Sequence, residues 1–154
     1  RLGLSVHPDK TVMQRCTQGI DFLGCIVFPD HRLIRQRSIR ALRRRLEWFK
    51  YLIFPQTERP MPQPLMGSWQ RWINTHQALF CPGHPTPALL QRMQATINSY
   101  FGVFKHADTY RLRKHIFQQE LGPLKTFFLP ADASYGHLVV RPAWLPQRGN
   151  NRNS

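Results

Sequence analysis

The chain has 154 residues, of which 22 are Lys or Arg and 8 are Asp or Glu, giving a formal net charge of +14 with histidine neutral. Hydrophobic residues make up 42%, enough to core one ordinary domain or two small ones, which excludes disorder throughout. A cationic excess of this size repels itself and concentrates polyanions, so nucleic acid leads the partner classes; an anionic membrane surface follows, because no apolar run is long enough to span a bilayer.

Residues 1–11 read as the end of a helix or loop that closes with a turn at Pro8-Asp9. Residues 11–17 and 20–28 read as two strands joined by a turn at Gln18-Gly19, and Pro29-Asp30 closes the second. His31 and Arg32 begin a short connector. Ser38 is a fitting N-cap for a helix running to about Phe54, where Pro55 stops it. In that helix Ile39, Leu42, Leu46, Phe49 and Ile53 fall at spacings of 3, 4, 3 and 4 and make one apolar stripe, with Arg40, Arg43, Arg44, Arg45 and Lys50 on other faces. Residues 55–64 carry four prolines and read as an extended linker. A second helix pattern covers 66–79 with Trp69, Trp72, Ile73 and Leu79, and residues 81–87 form a second break.

Thr86 caps a third helix with Pro87 at its first position; Leu90, Met93, Ile97 and Phe101 form its stripe and Gly102 marks its end. A fourth helix is expected from an Asp108 N-cap to Gly122-Pro123, with Leu112, Ile116 and Phe117 inward and Arg111, Arg113, Lys114 and His115 making it basic. Residues 124–145 read as short extended pieces with turns at Pro130 and Tyr135-Gly136, and 146–154 as a disordered polar tail. The expected fold class is α+β, a small β-hairpin followed by a mainly helical part.

Arg32, Arg35, Arg37, Arg40, Arg43, Arg44 and Arg45 place seven guanidinium groups in fourteen residues, with Glu47 the one acid close by. Phosphate oxygens relieve that repulsion, and the planar fork of arginine meets them bidentately. Nothing in the segment reads base edges, so sequence specificity is not implied. Trp69, Trp72, Tyr100 and Tyr110 are able to stack bases, but at helical spacing they read as core. The acidic residues Asp9, Asp21, Asp30, Glu47, Glu58, Asp108, Glu120 and Asp132 include no adjacent pair, which offers no sequence-level site for two metals. His76, Cys81 and His84 lack a fourth ligand at zinc spacing and read as unrelated loop residues. Cys16, Cys25 and Cys81 form no Cys-x-x-Cys pair, which argues against a disulfide scaffold and for a reducing, cytoplasmic setting; Cys25 reads as a small core hydrophobe.

Leu4 through Thr11 is similar to the reverse-transcriptase motif that ends in a lysine-threonine pair, and Gly19-Ile20-Asp21-Phe22-Leu23-Gly24 resembles the primer-grip motif that follows it. Residues 98–113 resemble a thumb segment of bacterial reverse transcriptases of the group II intron and diversity-generating retroelement type, with Phe101-Gly102-Val103 where that family has Leu-Gly-His. Together the resemblances cover roughly residues 2–117. The resemblance implies the end of a palm with its primer-grip hairpin over 1–30, a helical thumb over 31–123, a short extended segment over 124–145 and a tail over 146–154.

It also implies roles. Lys10 becomes a cation near the phosphates of an incoming nucleotide, and Phe22, Leu23 and Gly24 hold the primer end. Gly24 suits a close backbone approach to a sugar-phosphate chain. Arg35, Arg37, Arg40, Arg43, Arg44, Arg111, Arg113 and Lys114 become contacts to a primer–template duplex or RNA–DNA hybrid. The complete polymerase is expected to need Mg²⁺, held by paired aspartates that have no counterpart here. The chain therefore reads as a C-terminal fragment, inactive alone, whose partner is a fingers-and-palm portion. Two other readings stay open: a stand-alone basic RNA-binding structural protein, and a decayed polymerase remnant.

Overall fold

The computed structural model describes residues 15–22, 24–54, 71, 74–75 and 84–146. The architecture is α+β: among the described residues, a three-stranded and a two-stranded antiparallel sheet accompany two long helices.

A 3-10 turn at Cys16–Gln18 stands at the end of the strand expected over 11–17, whose residues 11–14 lie outside the described residues. The run expected as one strand over 20–28 folds back on itself, giving β1 (Ile20–Phe22) and β2 (Cys25–Val27). Phe22 pairs with Cys25 and Ile20 with Val27, so the chain reverses between Phe22 and Cys25. Gly24 permits the reversal at φ +85°, a region that costs a side-chain-bearing residue strain. The expected hairpin turn at Gln18-Gly19 is instead the lead-in to β1, with Gly19 at φ +71°. The Phe28 N–H donates to the His31 carbonyl at 2.8 Å and closes a second turn into β3 (Arg32–Ile34), where a connector was expected. The sheet order is β1-β2-β3.

β3 feeds directly into α1 (Gln36–Ile53), which therefore begins ahead of Ser38. Arg35, with extended backbone, occupies the cap and makes no side-chain capping bond; its N–H donates instead to the Gly24 carbonyl at 3.3 Å. Ile39, Leu42, Leu46, Phe49 and Ile53 are buried as their spacing predicts, and Trp48 and Lys50 are buried too. The proline-rich linker lies outside the described residues. So does most of the second helix expected over 66–79, of which Arg71, Asn74 and Thr75 are helical.

α2 (Pro87–Phe104) starts as expected: the Thr86 hydroxyl accepts the Leu89 N–H at 3.3 Å and Pro87 opens the first turn. It runs past Gly102, because Val103 and Phe104 continue the helix and Phe104 is fully buried. α3 (Tyr110–His115) begins after a Thr109 cap in place of Asp108. It then widens into a π-helical turn, Ile116–Glu120, and tightens into a 3-10 helix, Gly122–Thr126. The Leu121 N–H reaches back to the Ile116 carbonyl at 2.9 Å across that wide turn. β4 (Phe128–Pro130) and β5 (Leu138–Val140) pair antiparallel, Phe128 with Val140.

One core joins these parts. Leu42, Leu46 and Phe49 of α1 meet Leu90, Met93, Ile97 and Phe101 of α2, with Ile116, Leu121, Leu124, Phe128 and Leu138 completing it. Each such side chain contributes about 1.5–3 kcal/mol by leaving water, and together they hold α1 and the α3 segment in fixed register.

Candidate nucleic-acid interface

The arginine-dense segment separates into groups with different fates once α1 is folded. Its core stripe sets the rotation of the helix, and Arg37, Arg40 and Arg44 then fall at i, i+3 and i+7 on the solvent side, all exposed. No carboxylate among the described residues pairs with any of the three. Arg43 turns the other way. Its Nε and Nη2 donate to the Glu120 carboxylate at 2.6–3.0 Å, and this bond raises the Arg43 pKa above its ordinary value. Arg35 forms an ion pair with Asp21 of β1 and is largely covered. Arg45 lies over the Tyr100 ring, 5.2 Å from its centre, and ties α1 to α2. Lys50 is buried and donates to Glu47 at 2.7 Å. Among the described residues, the α1 arginines with neither a carboxylate nor a ring partner are thus the row Arg37, Arg40 and Arg44.

The second cationic group, on α3, divides as well. Arg111 is exposed, and Lys114 lies over the Tyr110 ring at 5.9 Å. Arg113 is 7% exposed. Its Nη1 donates to the Thr109 hydroxyl at 2.7 Å, Nε to the Tyr135 carbonyl at 3.1 Å and Nη2 to the Ser134 carbonyl at 3.2 Å. Arg113, expected as a duplex contact, is instead buried in the fold: one helical turn from Thr109, it faces the 131–137 turn, and three of its five N–H donors go to Thr109, Ser134 and Tyr135.

Of the expected primer-grip residues, Leu23 lies outside the described residues, as does Lys10. Phe22 is 62% exposed on β1. Gly24 makes its close approach to α2 rather than to open surface: a Cβ there would meet Val103 Cγ1 at 3.2 Å and Ser38 Oγ at 3.8 Å. The register puts Ile20, Phe22, Cys25, Val27 and Arg32 on one sheet face. With His106 they line an apolar groove of about 400 Å³. Tyr100 packs toward Phe104, as the core reading predicts, while Tyr110 is exposed at its edge and meets Tyr135. Trp69 and Trp72 have side chains outside the described residues.

Glu120 has no signature in the sequence. It meets Arg43 across 77 positions, and the local hint is merely that an acid ends the basic run Arg111–His115. No group of three or more His, Cys, Asp or Glu side chains comes together to hold a metal among the described residues. No helix of the described residues is long and apolar enough to cross a membrane.

Comparisons with protein-family models, curated proteins and solved structures found no match for this chain.

Proposed function

We propose that this chain grips the sugar-phosphate backbone of a nucleic-acid duplex, as the palm-edge and thumb portion of an RNA-directed DNA polymerase. The catalytic carboxylates, and the Mg²⁺ they hold, would come from a fingers-and-palm portion. The observation that carries the reading is the row Arg37, Arg40 and Arg44: three exposed guanidinium groups on a rigid helix, with no carboxylate partner among the described residues. At about 1.5 Å rise per residue the row spans roughly 10 Å, a length over which one strand carries about three phosphates. Arg111 and Lys114 offer a second contact from α3, and exposed Phe22 on the adjoining sheet offers an apolar face to a primer end.

Three such contacts give a binding constant that falls with salt at a log–log slope of about −2.7 from this row. The test is binding of a short RNA–DNA hybrid across a salt series, for the wild type and for Arg37→Gln/Arg40→Gln/Arg44→Gln. The triple variant is expected to lose most of that slope. An unchanged slope refutes the assignment of the row. Equal affinity for hybrid and for duplex RNA would move the reading to a stand-alone RNA-binding structural protein.

A further inference from the structure

Arg43 sits on the same helix as the cationic row, between Arg40 and Arg44 in sequence, yet a carboxylate from another element holds it. The two Glu120 oxygens take its side-on edge, Nε and Nη2, in the bidentate geometry that a phosphate would use. The Glu120 side chain is only 16% exposed, whereas that of Arg43 is 48% exposed. The carboxylate is therefore the fixed partner and the guanidinium the one that solvent, or a ligand, reaches. Glu120 is fixed because it ends the π-helical turn, whose wide backbone ring closes at Leu121. π-Helical turns are uncommon and recur at functional positions. His115 lies 3.4 Å from the same carboxylate, and Glu47 and Lys50 line the cleft beside it.

We propose that Glu120 is a built-in competitor for phosphate, which withholds Arg43 from the cationic row until a duplex phosphate displaces it. This rests on the reading of Arg37, Arg40 and Arg44 as backbone contacts and adds its regulation. Breaking a part-exposed pair to make a similar pair with phosphate changes little in free energy, so the fourth contact is nearly cost-neutral and easily reversed. A grip limited in this way holds a duplex while letting it slide.

The experiment compares hybrid binding across a salt series for the full chain, Glu120→Gln and Arg43→Gln/Glu120→Gln. In the wild type the nearly cost-neutral exchange divides Arg43 between Glu120 and phosphate; freed of its competitor, Arg43 makes the contact in full. Glu120→Gln is then expected to steepen the salt slope by up to about 0.9 and to tighten binding by up to about eightfold at 0.1 M salt. The double variant is expected to lose that gain. Unchanged or weaker binding by a folded Glu120→Gln, judged by circular dichroism, overturns the proposal. So does a wild-type Arg43 Nε–H resonance that stays put as hybrid is titrated to saturation, a measurement that needs no variant to fold. If the Arg37/Arg40/Arg44 variant loses its slope while Glu120→Gln gains nothing, the competitor alone is refuted. Wild-type binding without salt dependence refutes both.

Discussion

Replacing Arg113 with Met keeps an apolar stem of similar length and removes a guanidinium that spans Thr109, Ser134 and Tyr135. Hydrogen bonds from a charged donor are each worth about 1.5–3 kcal/mol, so three set a ceiling of roughly 4.5–9 kcal/mol. Two effects lower it. The wild-type protein has already spent free energy to desolvate this charge, with no carboxylate bound to it among the described residues. The Ser134 carbonyl also lies in an exposed turn, where water replaces the lost donor. The expected net loss is about 2–4 kcal/mol, or a fall in Tm of about 5–15 °C for a domain of this size. Urea unfolding followed by circular dichroism measures it, with an unchanged slope against denaturant confirming that the folded state alone was altered. A loss under about 1 kcal/mol would refute the structural role. Normal stability combined with weakened duplex binding would return Arg113 to the interface.

Two further expectations concern turns. Gly24→Ala forces a Cβ into positive φ and to 3.2 Å from Val103, and is expected to cost about 1–2 kcal/mol in equilibrium unfolding; a cost near zero would show that β1 and β2 turn without the glycine. Asp132 accepts hydrogen bonds from the Ser134 hydroxyl and from the Ser134 N–H, the latter at 2.8 Å, which hold its carboxyl below the ordinary range. A lowered pKa in the folded state means its stabilisation is complete above about pH 4, the ordinary aspartate value, and is lost as pH falls through the lowered one. Asp132→Asn should therefore narrow the gap in unfolding midpoint between neutral and acid pH, and an unaltered gap would contradict this.

The parts of the fold legible in sequence were those set by periodicity and by caps with side-chain chemistry. The α1 stripe, and the Thr86-Pro87 start of α2, appear where their residues put them. Strand number failed, because an apolar run such as 20–28 carries no mark of where it folds back; Gly24 was read for what it would let approach rather than for the turn it makes. The start of α1 was misplaced because β3 runs into it without a capping side chain. At the candidate interface, sequence could count arginines but not sort them. Asp21, Tyr100 and Glu120 each engage one of them, and each sits on another element. Arg113 looked like its neighbours until the fold set its face inward. Lys10 and Leu23 lie outside the described residues.

Asn98 of α2 grips the backbone of Leu138 at both ends: its Oδ1 accepts the N–H at 2.7 Å and its Nδ2 donates to the carbonyl at 2.9 Å. Gln94 donates to that same carbonyl at 2.9 Å. The side-chain amide thus does what a third strand would do. Across the ribbon, Leu138 faces Pro130, which has no N–H to offer. A ribbon with a helix seated on one border and a proline on the other gives a foreign strand little to zip onto. In a chain this rich in aromatic and branched residues, the half-buried amides of Gln94 and Asn98 thus occupy backbone groups that another chain's strand would otherwise pair with.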